Sequence, residues 1–331
     1  MRKSLFFGLG AIIISGLGVF AAMEITLRVI FHESMNFDIE MWKYARAVKR
    51  LATDPAIGHE HTPGTRAFLM GADVQINEHG YRDASFPAVK PGGEIRVAML
   101  GDSLTFGWGV EAKDSPPALL GAKLRARHLD STVRVINMGV GNYNTTMEVS
   151  AFLARGLKLQ PDIVILNYFI NDAEPQPPQR RGNFLSWSYA YIFLIGRFDI
   201  LNRQLAVRED WRTYYGNLYT PDAAGWRGAR AAIQRLTAAL KERGIPLLIA
   251  NYPELHILGD KYPFPFVAAE LAKLARELNV GFIDLSPALA SEAPETLWVS
   301  PTDPHPNAKA NKLMTKLLYD EVSAMVDALR N

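Results

Sequence analysis

Four short stretches of this 331-residue chain carry side chains that together could make and break an ester bond. In VAMLGDSLTFGWGV (97–110) an apolar run ends at Gly101 and Asp102, which puts Ser103 where a buried strand would stop. That place suits a turn serine, and it equally suits a nucleophile exposed at a strand end. A hydroxyl attacks a carbonyl only if a base takes its proton, and histidine is the usual base near neutral pH. Of the seven histidines, His305 in SPTDPHPNAKAN stands out, because it follows Asp303 closely and sits between Pro304 and Pro306. Asp303 would accept from one ring nitrogen and leave the other facing Ser103. A tetrahedral intermediate also needs preorganised N–H donors for its oxyanion. Gly141 and Asn142 in INMGVGNYNTT offer backbone donors, and Asn171 in NYFINDA offers a side-chain amide. His59, His61 and His79 precede the region that carries these stretches.

The elements that must position these residues are legible as a pattern. From Ile95 onward, short apolar runs at 95–100, 133–137, 162–169, 246–251 and 280–285 read as buried parallel strands. Between and after them, residues 116–129, 145–157, 228–244, 266–279 and 307–329 read as amphipathic helices. Strands separated by helices argue for a three-layer α/β fold with a parallel sheet. Ligands gather at the carboxyl ends of the strands in such sheets. Ser103, Gly141 with Asn142, and Asn171 follow the first three strands at that end. One connection, about 173–224, is too long for a loop and is rich in aromatic residues. It reads either as a lid or substrate wall, or as a small core of its own.

The N-terminal part is different. After Arg2 and Lys3, no charge occurs from Ser4 to Met23. Twenty residues at about 1.5 Å rise span a bilayer's hydrocarbon core of roughly 30 Å. Leading basic residues place the N-terminus in the cytoplasm and the rest outside it. The alternative is a cleaved signal, with Val19-Phe20-Ala21 as the cleavage site. Residues 1–35 therefore read as anchor and juxtamembrane segment, 36–93 as a stalk helix with a loop-rich extension, and 94–331 as the catalytic domain. The stalk helix carries Met41, Tyr44, Ala45 and Val48 on one face, with basic residues between them on a solvated face. A formal net charge of +2 with no run of like charges gives no case for nucleic acid. Without cysteine, thiolate catalysis and cysteine-based metal sites are excluded.

Taken in order, GDSL at 101–104, the glycine-asparagine turn, NYFINDA and DPHPN resemble the four sequence blocks of the SGNH, or GDSL, hydrolase superfamily over about residues 95–331. The resemblance implies a flavodoxin-like α/β/α sandwich with a mainly five-stranded parallel sheet. It makes Ser103 the nucleophile and, through its own N–H, an oxyanion donor. It makes Asn171 the side-chain oxyanion donor, His305 the base and Asp303 its partner. Three departures accompany it. The superfamily's oxyanion glycine falls on Asn142, which tolerates left-handed backbone, and the choice between Gly141 and Asn142 stays open. The usual glycine of the third block is Phe169, which would narrow the pocket beside Asn171, while Trp108 is a candidate pocket wall. Asp303 precedes His305 by two residues where three is commoner.

The expected activity is a serine esterase that works through an acyl-enzyme and needs neither metal nor cofactor. Its partner is an ester of a cell-envelope polysaccharide or lipid, met by a domain held outside the cytoplasm. An O-acyltransferase using the same residues, and a non-catalytic glycan- or partner-binding protein on the same fold, are the alternatives.

Overall fold

The structure, a computed structural model, describes residues 2–33, 35–128, 132–179, 184–205 and 210–330. Its backbone forms two compact units: Met1–Arg46 with Arg180–Arg208, and Ala47–Gln179 with Glu209–Asn331. Compactness thus divides the chain differently from the segments 1–35, 36–93 and 94–331.

The larger unit is built on five parallel strands: β1 (Glu94–Gly101), β2 (Thr132–Gly139), β3 (Ile163–Tyr168), β4 (Leu247–Asn251) and β5 (Gly281–Asp284). Their order is β2-β1-β3-β4-β5, and every neighbouring pair is parallel. All six residues of β3 are buried, as expected where helices cover both faces of a sheet. Five helices do so: α1 (Pro116–Arg127), α2 (Thr145–Ala154), α3 (Ala224–Lys241), α4 (Pro265–Leu278) and α5 (Ala308–Arg330). Phe152 of α2, Ile233 of α3 and Leu271 of α4 pack with Leu100 and Leu166 on one face. Leu120 of α1 and Leu318 of α5 pack with Met99 and Ile165 on the other. Truncating any one of these buried leucines to alanine would cost about 2–5 kcal/mol. This three-layer α/β sandwich reverses strand order at β1, and the crevice beyond that edge is where α/β sheets bind ligands.

The stretch after residue 48, read as the end of the stalk helix and a loop-rich segment, contains four short strands among the described residues. Lys49–Leu51 pairs with His59–His61, and Arg66–Leu69 pairs with Ala72–Gln75, each as an antiparallel ribbon. Buried Arg82 fastens this stretch to the loop that follows β1, donating to the carbonyls of Gly107 (2.5 Å) and Val110 (2.8 Å). A guanidinium presents several donors in a fixed fork, so one side chain can satisfy several carbonyls that a turn leaves open.

In the smaller unit, helix Arg2–Glu33 has an apolar span, Gly8–His32, that is long enough to cross a bilayer and fits a signal anchor or a signal peptide. The side chains of Arg2 and Lys3 lie outside the described residues. Glu24 caps helix Tyr189–Leu205 by accepting from the Ala190 amide (2.8 Å) and the Ser188 hydroxyl (2.7 Å). Helix Phe37–Ala47 buries Ile39 and Tyr44. Its basic residues are engaged, Lys43 by Glu40 and Arg46 by the rings of Trp42 and Trp187. The long connection is accordingly split between the units. Trp211, Tyr215 and Tyr219 pack with the Phe264, Trp226 and Tyr168 rings of the main core, whereas Trp187 belongs to the smaller unit.

Candidate active site

Strand β1 runs into its loop at Gly101, and Asp102 turns the chain into a single helical turn, Ser103–Phe106. Asp102 caps this turn by accepting from the Leu104 amide at 2.9 Å. Gly107 closes it in the left-handed region (φ +83°) that residues with a Cβ rarely adopt. Gly139, at the end of β2, lets the turn sit against the sheet, since a Cβ there would lie 2.2 Å from the Phe106 amide nitrogen. Ser103 occupies the first position of the turn, where a backbone N–H has no helical acceptor.

His305 comes from a different local device. Residues Asp303–Pro306 pair antiparallel with Trp298–Ser300. Asn307 then caps α5, accepting from the Lys309 and Ala310 amides at 3.0 and 3.1 Å. This brings His305 Nε2 to 2.9 Å from Ser103 Oγ. His305 Nδ1 lies 2.5 Å from Asp303 Oδ1, and the same oxygen accepts the His305 amide at 3.1 Å. One carboxylate oxygen thus holds ring and backbone together, which is how a two-residue spacing is closed. The other, Oδ2, accepts the indole N–H of Trp108 at 2.8 Å. An ionised carboxylate only accepts, so Nδ1 carries the proton and Nε2 faces the serine hydroxyl as acceptor. Burial pushes the Asp303 pKa up, but the hydrogen bonds from His305 and Trp108 and the His305 charge outweigh it and hold the group below its ordinary value.

The other residues singled out in the sequence fall around this pair unevenly. Asn171 lies in the short turn Ile170–Ala173 after β3, and its side chain is hydrogen-bonded to Asp102. Asn142 has φ +65°, and its amide has no acceptor among the described residues. Gly141 turns its carbonyl to Lys49 and His59. Trp108 is only 2% exposed, so it backs the Asp303–His305 pair rather than walling an open pocket. Phe169 is half-buried and packs against both cores. The sequence reading placed Lys49 on the solvated face of the stalk helix, whereas that helix ends at Ala47 and Lys49 lies on a strand and reaches the Gly141 carbonyl. It also set His59 aside as preceding the fold and missed the indole bond to Asp303. A buried-type residue such as Trp108, close to the serine, was the available signal.

The GDSL-like lipase/acylhydrolase family profile matches residues 99–313, which span every element of this arrangement except the upstream ribbons. The chain belongs to that family. The chain is 27% identical over 266 residues to an acetylxylan esterase of Xylanibacter ruminicola, covering 78% of this chain and 49% of the relative. It therefore spans about half the length of that curated relative. Among solved structures, a catalytic mutant of an acetylxylan esterase from Geobacillus stearothermophilus is 15% identical, with 71% of this chain and 96% of that one covered and a TM-score of 0.47. A protein of the G-D-S-L family from Desulfitobacterium hafniense is 18% identical, with 68% and 98% covered and a TM-score of 0.43.

Behind the serine turn lie three buried carboxyls, Asp102, Asp172 and Glu148. Burial raises the pKa of each, and the charges of Asp172 and Asp102 push Glu148 further up. The Glu148 and Asp172 carboxyls lie side by side, and a hydrogen bond between them also favours the protonated form of Glu148. A carboxyl whose folded pKa is raised withdraws stability as pH climbs from its unfolded value of about 4.3 through the folded one. Glu148→Gln removes that penalty, which grows by about 1.4 kcal/mol per unit of separation between pH and the unfolded pKa until the folded pKa is reached. The variant should melt higher than the wild-type protein at pH 8, by a margin that narrows toward pH 5. Equal melting differences at the two pH values in a thermal unfolding series would contradict this.

Proposed function

We propose that this protein is a membrane-anchored serine esterase that removes O-acetyl groups from an extracytoplasmic polysaccharide through an acyl-enzyme. The observation that carries the reading is the continuous relay from Ser103 Oγ through His305 to Asp303, at 2.9 and 2.5 Å. His305 Nε2 takes the hydroxyl proton as Ser103 Oγ bonds to the ester carbon. Negative charge moves to the former carbonyl oxygen. The Ser103 N–H, the Gly141/Asn142 turn and the Asn171 amide, shared with Asp102, are the donors that receive it. Collapse breaks the bond to the sugar oxygen, which leaves with the proton held by His305. Water, deprotonated by the same nitrogen, then attacks the acetyl-serine; the bond to Ser103 Oγ breaks, His305 returns the proton to that oxygen, and acetate departs.

The acetylated glycan as substrate is supported by the likeness to a relative named for acetylxylan, and the anchored location by the span Gly8–His32. The test uses the full chain in detergent micelles, offered O-acetylated xylan and, separately, a long-chain phospholipid. Acetate release from the glycan is expected, with little fatty acid from the lipid. Fatty acid release without acetate would replace the glycan reading by a lipase. Acetyl appearing on an added oligosaccharide in place of free acetate would replace hydrolysis by transfer.

A further inference from the structure

The turn after β2 is held by side chains that lie outside the family-matched region. The Gly141 carbonyl oxygen accepts from Lys49 Nζ at 2.5 Å and from His59 Nε2 at 3.0 Å. Both donors sit on the ribbon Lys49–Leu51/His59–His61, some ninety residues upstream. Lys49 Nζ also reaches Asn142 Oδ1 at 3.1 Å, and the Tyr143 hydroxyl donates to the His59 carbonyl. Turn and ribbon therefore grip each other at both ends. The Val140 amide, donating to Gly101 at 3.1 Å, ties the same turn to the strand end that carries Ser103.

In a trans peptide unit the carbonyl and the following N–H point in opposite directions. A Gly141 carbonyl fixed toward Lys49 and His59 therefore fixes the Asn142 N–H away from them. That N–H has no acceptor among the described residues, and the left-handed backbone of Asn142 (φ +65°) keeps the turn in this orientation. Donors on a carbonyl also polarise its peptide unit, which strengthens the N–H as a donor.

We infer that Lys49 and His59 are positioning residues of the oxyanion site, holding the Gly141–Asn142 peptide so that the Asn142 N–H, and not that of Gly141, meets the developing charge. The inference rests on the reading of Ser103 as nucleophile. His59 serves as a neutral donor, because burial and the Lys49 charge press its pKa down to about 3. Its Nε2 then carries the hydrogen, since a carbonyl can only accept. Neither residue touches the substrate, and neither takes part in proton transfer.

The test compares wild type, Lys49→Met and Lys49→Arg in kcat and KM for an activated acetyl ester, and in inhibition by a trifluoromethyl ketone, whose adduct carries an oxyanion. Rates are taken per active site titrated with a serine-directed organophosphate. Loss of one oxyanion donor costs about 10²–10³ in kcat, so misaiming one is expected to cost roughly 10–100-fold. Lys49→Met should show that loss with KM nearly unchanged, and should bind the ketone more weakly by the same factor. Lys49→Arg should recover most of both. A purely structural lysine would lower the fraction of titratable protein and leave kcat per titrated site and ketone affinity as in wild type, which would overturn the inference. If Lys49→Met does not fold, the pair His59→Leu and His59→Gln carries the same comparison, with Gln supplying the replacement donor. An active wild type with unaffected variants refutes the clamp alone. An organophosphate that leaves Ser103 of the wild type unlabelled refutes the nucleophile reading, and the clamp with it.

Discussion

Ser103→Ala is expected to lower kcat/KM for an activated acetyl ester by about 10⁵-fold or more, with the folded state retained. The size follows from what the substitution leaves behind. The oxyanion donors and any binding surface remain, and such remnants sustain only about 10³–10⁴ over the reaction in water. The hydroxyl is 2.9 Å from its base and Ser103 is buried, so alanine removes a nucleophile that is already aligned. The stability cost is small, since His305 Nε2 sits at a half-buried edge where water can replace the lost partner. Steady-state hydrolysis by the full chain in detergent, with melting temperature as the control for folding, checks this. Residual activity within about 100-fold of wild type would mean that the ester is cleaved elsewhere.

The second large effect is expected at Asp303. Asp303→Asn should lower kcat by roughly 10⁴ while keeping the shape of the site. The carboxylate accepts from His305 Nδ1, from the His305 amide and from the Trp108 indole. An asparagine offers one acceptor and one donor where three N–H groups converge. Either the ring turns over, presenting a protonated Nε2 to Ser103, or the amide NH₂ confronts the indole N–H. In the first case the serine meets a donor where it needs a base. Because Asp303 has its pKa held below the ordinary range, its contribution to stability is present above about pH 4 and is lost as pH falls through the lowered folded value. Asp303→Asn removes that contribution, so at neutral pH the variant should also melt below wild type. Rate loss measured beside this melting difference separates a tautomer effect from simple unfolding. A variant that melts lower yet turns over at a rate close to wild type would refute the role given to Asp303.

How much of this was legible in the sequence depends on the range of the contacts. The strands at 95–100 and 246–251 were readable because a strand buried on both faces is a nearly continuous apolar run bounded by turn residues, although Arg96 and Asn251 interrupt these two. Ser103, His305 and Asp303 were readable because their types and order restrict the chemistry. Their distances were not, since the serine and histidine lie 202 residues apart and meet only once the sheet and α5 are packed. Lys49 and His59 left no local signal at all. Lys49 reads as a basic residue on the solvated face of the stalk helix and His59 as one residue of a glycine- and proline-rich stretch, and their shared carbonyl lies 92 and 82 residues away. The long connection misled for a related reason. Its aromatic residues share a composition, but Tyr219 completes the main core by donating to the Ile170 carbonyl, while Trp187 stacks under Arg46 in the other unit. Composition reports that rings will be covered and leaves open by what. The spacing of Asp303 to His305 also looked like a departure, and a single carboxylate oxygen bridging ring and amide accommodates it.

The central claim is that Ser103 becomes covalently acylated. Treating the full-length protein with a p-nitrophenyl organophosphate and digesting it for mass spectrometry tests that claim directly. The account predicts one phosphoryl group per chain, located on Ser103, bound in step with the loss of esterase activity and absent from Ser103→Ala. A label on another residue, or full inactivation with Ser103 unmodified, would contradict it.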